Sequence, residues 1–128
     1  MSKRVLSIVT TGYRGTIEEQ DDTVVWLSAM CANAGLDLSL LLEATAVNYL
    51  IRGQDSSGLR FGDVEVAHPP AIHRDLEDLV AKGIEVGYVC EDLAALGVDP
   101  AHIIDGATPV ARTDLPAVLA RYDQVWRW

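Results

Sequence analysis

The run Val5-Leu6-Ser7-Ile8-Val9 is apolar at every position but one, rich in β-branched side chains, and ends in Thr10-Thr11-Gly12. A strand with one wet face alternates polar and apolar residues. A near-continuous apolar run instead suits a strand covered on both faces, as in a parallel sheet between helical layers. Leu36 to Leu42 opens with alternation and closes as an apolar run, and Ile84 to Val89 reads as a further strand. Brief strands are expected near Pro109-Val110 and over Gln124 to Trp128.

Helical spacing fills the intervals. A helix is expected from Ile17 to Ala34, with Thr16 and Glu19 at capping-box spacing, Val24, Leu27, Cys31 and Ala34 facing inward, and Gly35 as its left-handed stop. A short helix over Ala46 to Arg52 ends at Gly53. Another runs from Ala71 to Lys82, with Ile72, Leu76, Leu79 and Val80 inward and Gly83 as the stop. Glu91 to Leu96 reads as a short helix closed by Gly97, and Pro100 begins a turn of helix reaching Ile104. Thr113 or Asp114 caps the last helix, with Pro116 in its first turn. Strands alternating with helices predict a three-layer α/β/α fold around a mostly parallel five-stranded sheet, with residues 1–128 as a single domain. The stretch Gln54 to Pro70 has little periodicity and is longer than most connections, so it reads as functional or mobile.

Charge and cysteine usage narrow the partners. The chain has 128 residues, 49% hydrophobic, with 10 basic against 19 acidic side chains and a net charge of −9. Its basic residues are scattered while Glu18, Glu19, Asp21 and Asp22 cluster, so a phosphate backbone would meet repulsion, and direct nucleic-acid binding is not expected. The early apolar stretch is too short for a signal peptide or a membrane span, so a cytoplasmic protein without a membrane partner is expected. Cys31 and Cys90 are far apart with no CxxC spacing, which argues against a redox pair or a disulfide framework. His68 and His73 flank Pro69-Pro70 without accompanying ligands, and no metal or cofactor is expected. Glu77 and Asp78 follow His73 and Arg74 at the spacing of helix-surface pairs, and His102 reads as a surface residue.

In open parallel sheets, reactive groups gather beyond the carboxyl ends of the strands. Three places qualify here: the loop after the first strand, the Glu43-Ala44-Thr45 corner, and Cys90. The loop Thr10 to Thr16 reads either as an anion-binding turn or as a structural one. Cys90, at a strand-to-helix turn, reads either as a nucleophile or as a small apolar packing residue. A helix N-terminus favours thiolate there, whereas Glu91 and Asp92 oppose it. Cys31, on the inward stripe of its helix, reads as core packing.

The order Val86 to Leu93, Gly97-Val98, Ile103-Ile104-Asp105-Gly106, Asp114-Leu115 and Asp123-Gln124-Val125-Trp126 resembles the DsrE/DsrF-like family of sulfur-relay proteins. Leu40-Leu41-Leu42-Glu43 and Gly53 fit the same pattern, so the resemblance extends over nearly the whole chain. It implies a DsrE-like fold and a sulfur carrier in which Cys90 is loaded as a persulfide or related adduct and hands the sulfur onward. Sulfur-donor and sulfur-acceptor proteins are the implied partners. A homo-oligomer, trimer or hexamer, or a hetero-oligomer is also implied, with Trp126 or Trp128 placed to be buried between subunits. A non-catalytic subunit of such an oligomer and a small anion-binding domain are the alternative readings.

Overall fold

The computed structural model describes residues 3–13 and 21–128, so the capping pair Thr16 and Glu19 lies outside the described residues. In chain order the elements begin with β1 (Arg4–Val9), α1 (Thr23–Asn33), β2 (Asp37–Leu42) and a 3-10 segment (Ala44–Leu50). A small hairpin of β3 (Arg60–Phe61) and β4 (Val64–Glu65) precedes α2 (Ile72–Ala81), β5 (Val86–Val89) and α3 (Cys90–Ala95). The chain then passes through a 3-10 turn (Pro100–His102), β6 (Thr108–Val110), a second 3-10 turn (Arg112–Asp114), α4 (Leu115–Leu119) and β7 (Gln124–Arg127).

Five of these strands form one sheet in the order β6-β5-β2-β1-β7, and every pairing in it is parallel. This is the expected α/β fold. Val5 to Val9 are buried throughout, because β1 lies between β2 and β7 with cover above and below. One face carries Val9, Leu40, Leu42, Val86 and Tyr88 beneath the 3-10 segment, α2 and α3. The other carries Leu6, Ile8, Leu41, Val89 and Val110, closed by Leu115, Val118 and Tyr122 from α4 and the turn after it. Among the described residues no helix is long and apolar enough to cross a membrane.

Several local expectations need correction. Among the described residues the helix after β1 spans Thr23–Asn33, and the start expected at Ile17 lies outside the described residues. Asp22 is in extended backbone, and its carboxylate accepts the N–H groups of Val24 and Val25 at 2.9 and 3.0 Å, which fixes the start. The buried residues of α1 are Val25 and Ser28, with Val24 packed against the core as expected and Ala29 beside it, whereas Leu27, Cys31 and Ala34 are not buried, since Ser28 donates to the buried Ser7 hydroxyl of β1 at 3.0 Å. A satisfied polar pair thus sets the helix phase that hydrophobicity alone misassigns. Cys31 is consequently half-buried, not a core residue. Gly35 does end the turn, with φ of 99°. The helix expected over Ala46 to Arg52 is a 3-10 segment starting at Ala44, and within Gln54 to Pro70 the exposed β3–β4 hairpin forms.

His73 is also turned inward rather than paired on the α2 surface. It is buried beside Ile72, Leu76 and Leu79, and its Nδ1 has no hydrogen-bond partner among the described residues. His68 and His102 are exposed.

Asp22 does more than cap α1. It is 3% exposed and accepts a hydrogen bond from the hydroxyl of Tyr49, a side chain with no exposed surface. Burial, then the bond to this carboxylate, push the Tyr49 hydroxyl well above its ordinary range, so it stays protonated and donating. The same oxygen accepts the N–H of Tyr13, whose ring meets Tyr49 edge-on at 4.9 Å. Asp22→Ala removes a cap and leaves the buried Tyr49 hydroxyl proton without its acceptor, and is expected to cost about 2–3 kcal/mol in urea unfolding, against near-neutral loss for an exposed aspartate.

Between α1 and α2 runs a groove of about 260 Å³ lined by Val25, Trp26, Met30, Leu79 and the carboxylates of Asp21, Asp75 and Asp78. Burial first, then the neighbouring charges of Asp21 and Asp78, raise the Asp75 carboxyl above its ordinary value. Its protonated form is therefore favoured by folding, and stability falls as pH rises through the window above about 3.9, the ordinary aspartate value. Asp75→Asn is expected to raise Tm at about pH 7 and to leave it unchanged at about pH 3, where the wild-type carboxyl is already neutral.

Candidate functional site

Because all five strands run the same way, the ends of β1, β2, β5 and β7 open on one edge of the sheet. Cys90 stands there as the first residue of α3, directly after Val89 of β5. Its thiol is free and half-buried, packed against the larger core cluster on one side. Tyr88, two residues back, is buried against the same cluster. Burial, with the neighbouring Cys90 as a smaller cause, raises its hydroxyl above the ordinary range.

The two acidic residues after Cys90 are engaged rather than free to crowd the thiol. Glu91 accepts the backbone N–H of Arg112 at 2.9 Å. Asp92 pairs with the Arg112 guanidinium and also accepts the N–H of Ala44 at 2.7 Å. Ala44 holds a left-handed backbone, φ 51°, which for a non-glycine residue is a strained conformation held by its surroundings. One carboxylate therefore ties the first turn of α3 to the corner after β2 and to the turn after β6.

A second ion pair lies at the same edge, one strand over. Glu43, 8% exposed, accepts from the Thr10 hydroxyl at 2.8 Å and from the Arg127 guanidinium at 2.6 Å. Its own N–H continues the sheet ladder to the Val9 carbonyl at 3.0 Å. Trp128 extends β7 past β1, donating to the Ile8 carbonyl at 3.0 Å, while its indole N–H reaches the Ser7 hydroxyl at 3.3 Å. Thr10, Glu43 and Arg127 thus weld β1, β2 and β7 at their ends.

The loop after β1 is spoken for by internal bonds in the part described. Gly12 donates to the Thr45 hydroxyl at 2.9 Å and Tyr13 donates to Tyr49, so neither N–H is open to an anion. A Cβ at Gly12 would lie 2.9 Å from the Thr45 carbonyl oxygen, so the residue is there for close approach of two loops. Thr10 to Tyr13 therefore form a structural turn, and residues 14–16 of that expectation lie outside the described residues. Among the described residues no group of three or more His, Cys, Asp or Glu side chains is placed to hold a metal ion.

The structure brings the Glu43 corner and Cys90 to one edge, as expected from the strand ends, and leaves Cys31 away on α1. Sequence reasoning missed Arg112 and Arg127. Each pairs with a carboxylate 20 and 84 positions away, respectively, a separation that no local spacing rule reports. Asp92→Ala frees the Ala44 N–H and detaches Arg112; it is expected to lower stability by about 1–2 kcal/mol, measured by denaturant titration.

No protein-family model matches the chain, and no curated protein matches it in sequence. Solved structures do match over its whole length. The ychN protein from E. coli superposes with a TM-score of 0.73 at 21% identity, covering 98% of this chain and 99% of that one. A protein of unknown function from Methanobacterium thermoautotrophicum, MTH1491, gives 0.61 at 17%, covering 99% and 100%. A conserved protein of unknown function from Bacteroides thetaiotaomicron, BT1422, gives 0.67 at 14%, covering 97% and 94%. At these identities the likeness establishes a shared α/β fold.

Proposed function

We propose that this protein is a sulfur carrier that takes sulfane sulfur onto Cys90 and passes it to a partner protein in a cytoplasmic relay. The observation that supports it most is the position of Cys90: a half-buried free thiol opening α3 at the carboxyl edge of a parallel sheet. A thiol in that place has a packed side that orients it, and the carrier role requires that its other side be reachable by a donor. The sequence resemblance to DsrE/DsrF-like proteins points to the same residue.

Loading is a thiol–persulfide exchange. The Cys90 thiolate attacks the terminal sulfur of a donor persulfide, the Cys90 Sγ–S bond forms, and the donor S–S bond breaks with its electron pair leaving on the donor thiolate. The terminal sulfur keeps its proton, and no external oxidant or reductant enters. Delivery is the same exchange in reverse direction: an acceptor thiolate attacks the outer sulfur, and Cys90 leaves as thiolate. The protein's contribution is position. Asp92 and Arg112 anchor the first turn of α3, so the thiol is held at the edge where a partner can approach.

Donor and acceptor proteins are the partners this chemistry requires, and the protein acts within a homo-oligomer, trimer or hexamer, or a hetero-oligomer. The exposed Trp128 at the end of β7 suits such a contact, since a large aromatic surface left in water is costly. The packing of one side of Cys90 against the core favours a second reading, in which the thiol only fills space in a non-catalytic subunit.

Intact-mass measurement after incubation with glutathione persulfide separates the two. Wild type and Cys31→Ser are expected to gain one sulfur atom that dithiothreitol removes, while Cys90→Ser gains none. Sulfur carried on Cys31 alone, or on neither cysteine, contradicts the carrier reading and leaves the structural subunit.

A further inference from the structure

The groove between α1 and α2 combines two features that the relay chemistry does not use. Its floor and one wall are apolar: Trp26 is 51% and Met30 41% exposed, beside the buried Val25 and Leu79. Its other wall carries Asp75 and Asp78 on successive turns of α2, with Asp21 across from them. Among the described residues Lys82 is the only basic one lining it, and its ammonium is directed across the groove to Asn33 at 3.5 Å. Among the described residues neither Asp75 nor Asp78 is in a salt bridge.

We propose that this groove docks a short basic segment of a partner protein, seating an aliphatic side chain against Trp26, Met30 and Leu79 while flanking Lys or Arg residues meet Asp75 and Asp78. Charge decides the occupant. A second copy of this chain brings a net charge of −9, and its exposed apolar turn, Phe61 and Val64, is interleaved with Asp63 and Glu65. An anionic membrane surface is repelled in the same way. A cationic segment instead gains from both carboxylates, and its cation can also stack on the open indole of Trp26. The groove lies between two formed helices, so little ordering is needed on this side. The inference stands independently of the chemistry at Cys90.

The test is an amide and methyl NMR titration of the full chain with the acetylated, amidated peptide Lys-Leu-Arg-Leu-Lys, and with a control in which its basic residues are glutamate. The basic peptide is expected to shift the Trp26 indole N–H and the Met30 and Leu79 methyl signals. Asp75→Asn/Asp78→Asn should weaken binding by about fivefold, the loss of one half-buried and one exposed ion pair, without lowering Tm, and Trp26→Ala should weaken it as well. No shift at millimolar peptide, equal binding of the acidic control, shifts confined to another surface, or unchanged affinity in the double variant would each overturn the proposal.

Discussion

Parallel pairing is the constraint from which the rest of this structure follows. Parallel strands cannot be joined by tight turns, so each of the four steps between sheet strands must cross over the sheet and return to the same starting edge. Helices and 3-10 segments are thereby laid on the faces, and all five carboxyl ends are gathered on one side. The chain commits its apolar residues accordingly, with β1 and β5 buried along nearly their whole length. A thiol placed one residue past the end of β5 is brought to the common edge by topology alone.

Topology leaves the edge itself unfinished, because strand ends and helix starts expose unpaired backbone groups. Carboxylates complete it. Asp22 caps α1 and holds Tyr49; Asp92 takes the Ala44 N–H and Arg112; Glu43 takes Thr10 and Arg127. The acidic excess of the chain is partly explained by this use of Asp and Glu as acceptors at a single rim. The remaining excess collects elsewhere, notably along the α1–α2 groove, where burial and then the nearby charges of Asp21 and Asp78 make Asp75 hard to ionise.

The strands and the helix stops were legible because each rests on a local rule. Val5 to Val9 signals burial on both faces, and Gly35 and Gly97 adopt the positive φ that ends a turn. What was not legible depends on contacts between distant residues. The start of α1 is set by Asp22, whose role looks the same in sequence as that of its acidic neighbours. The phase of α1 is set by the Ser7–Ser28 bond, which a hydrophobic pattern ignores. Glu91 and Asp92 looked like a hostile setting for a thiolate until Arg112 was brought across from the other side of β6. Cys90 itself was identified from its place at a strand-to-helix turn, which the structure reproduces.

The central claim is that the thiol opening α3 can be reached without unfolding the protein. Site-resolved mass spectrometry of timed iodoacetamide labelling, across urea concentrations below the unfolding transition, measures this directly. Cys90 is expected to be alkylated in the native protein at a rate that does not change with urea. Labelling of Cys90 that tracks global unfolding, with the native protein protected, would contradict it.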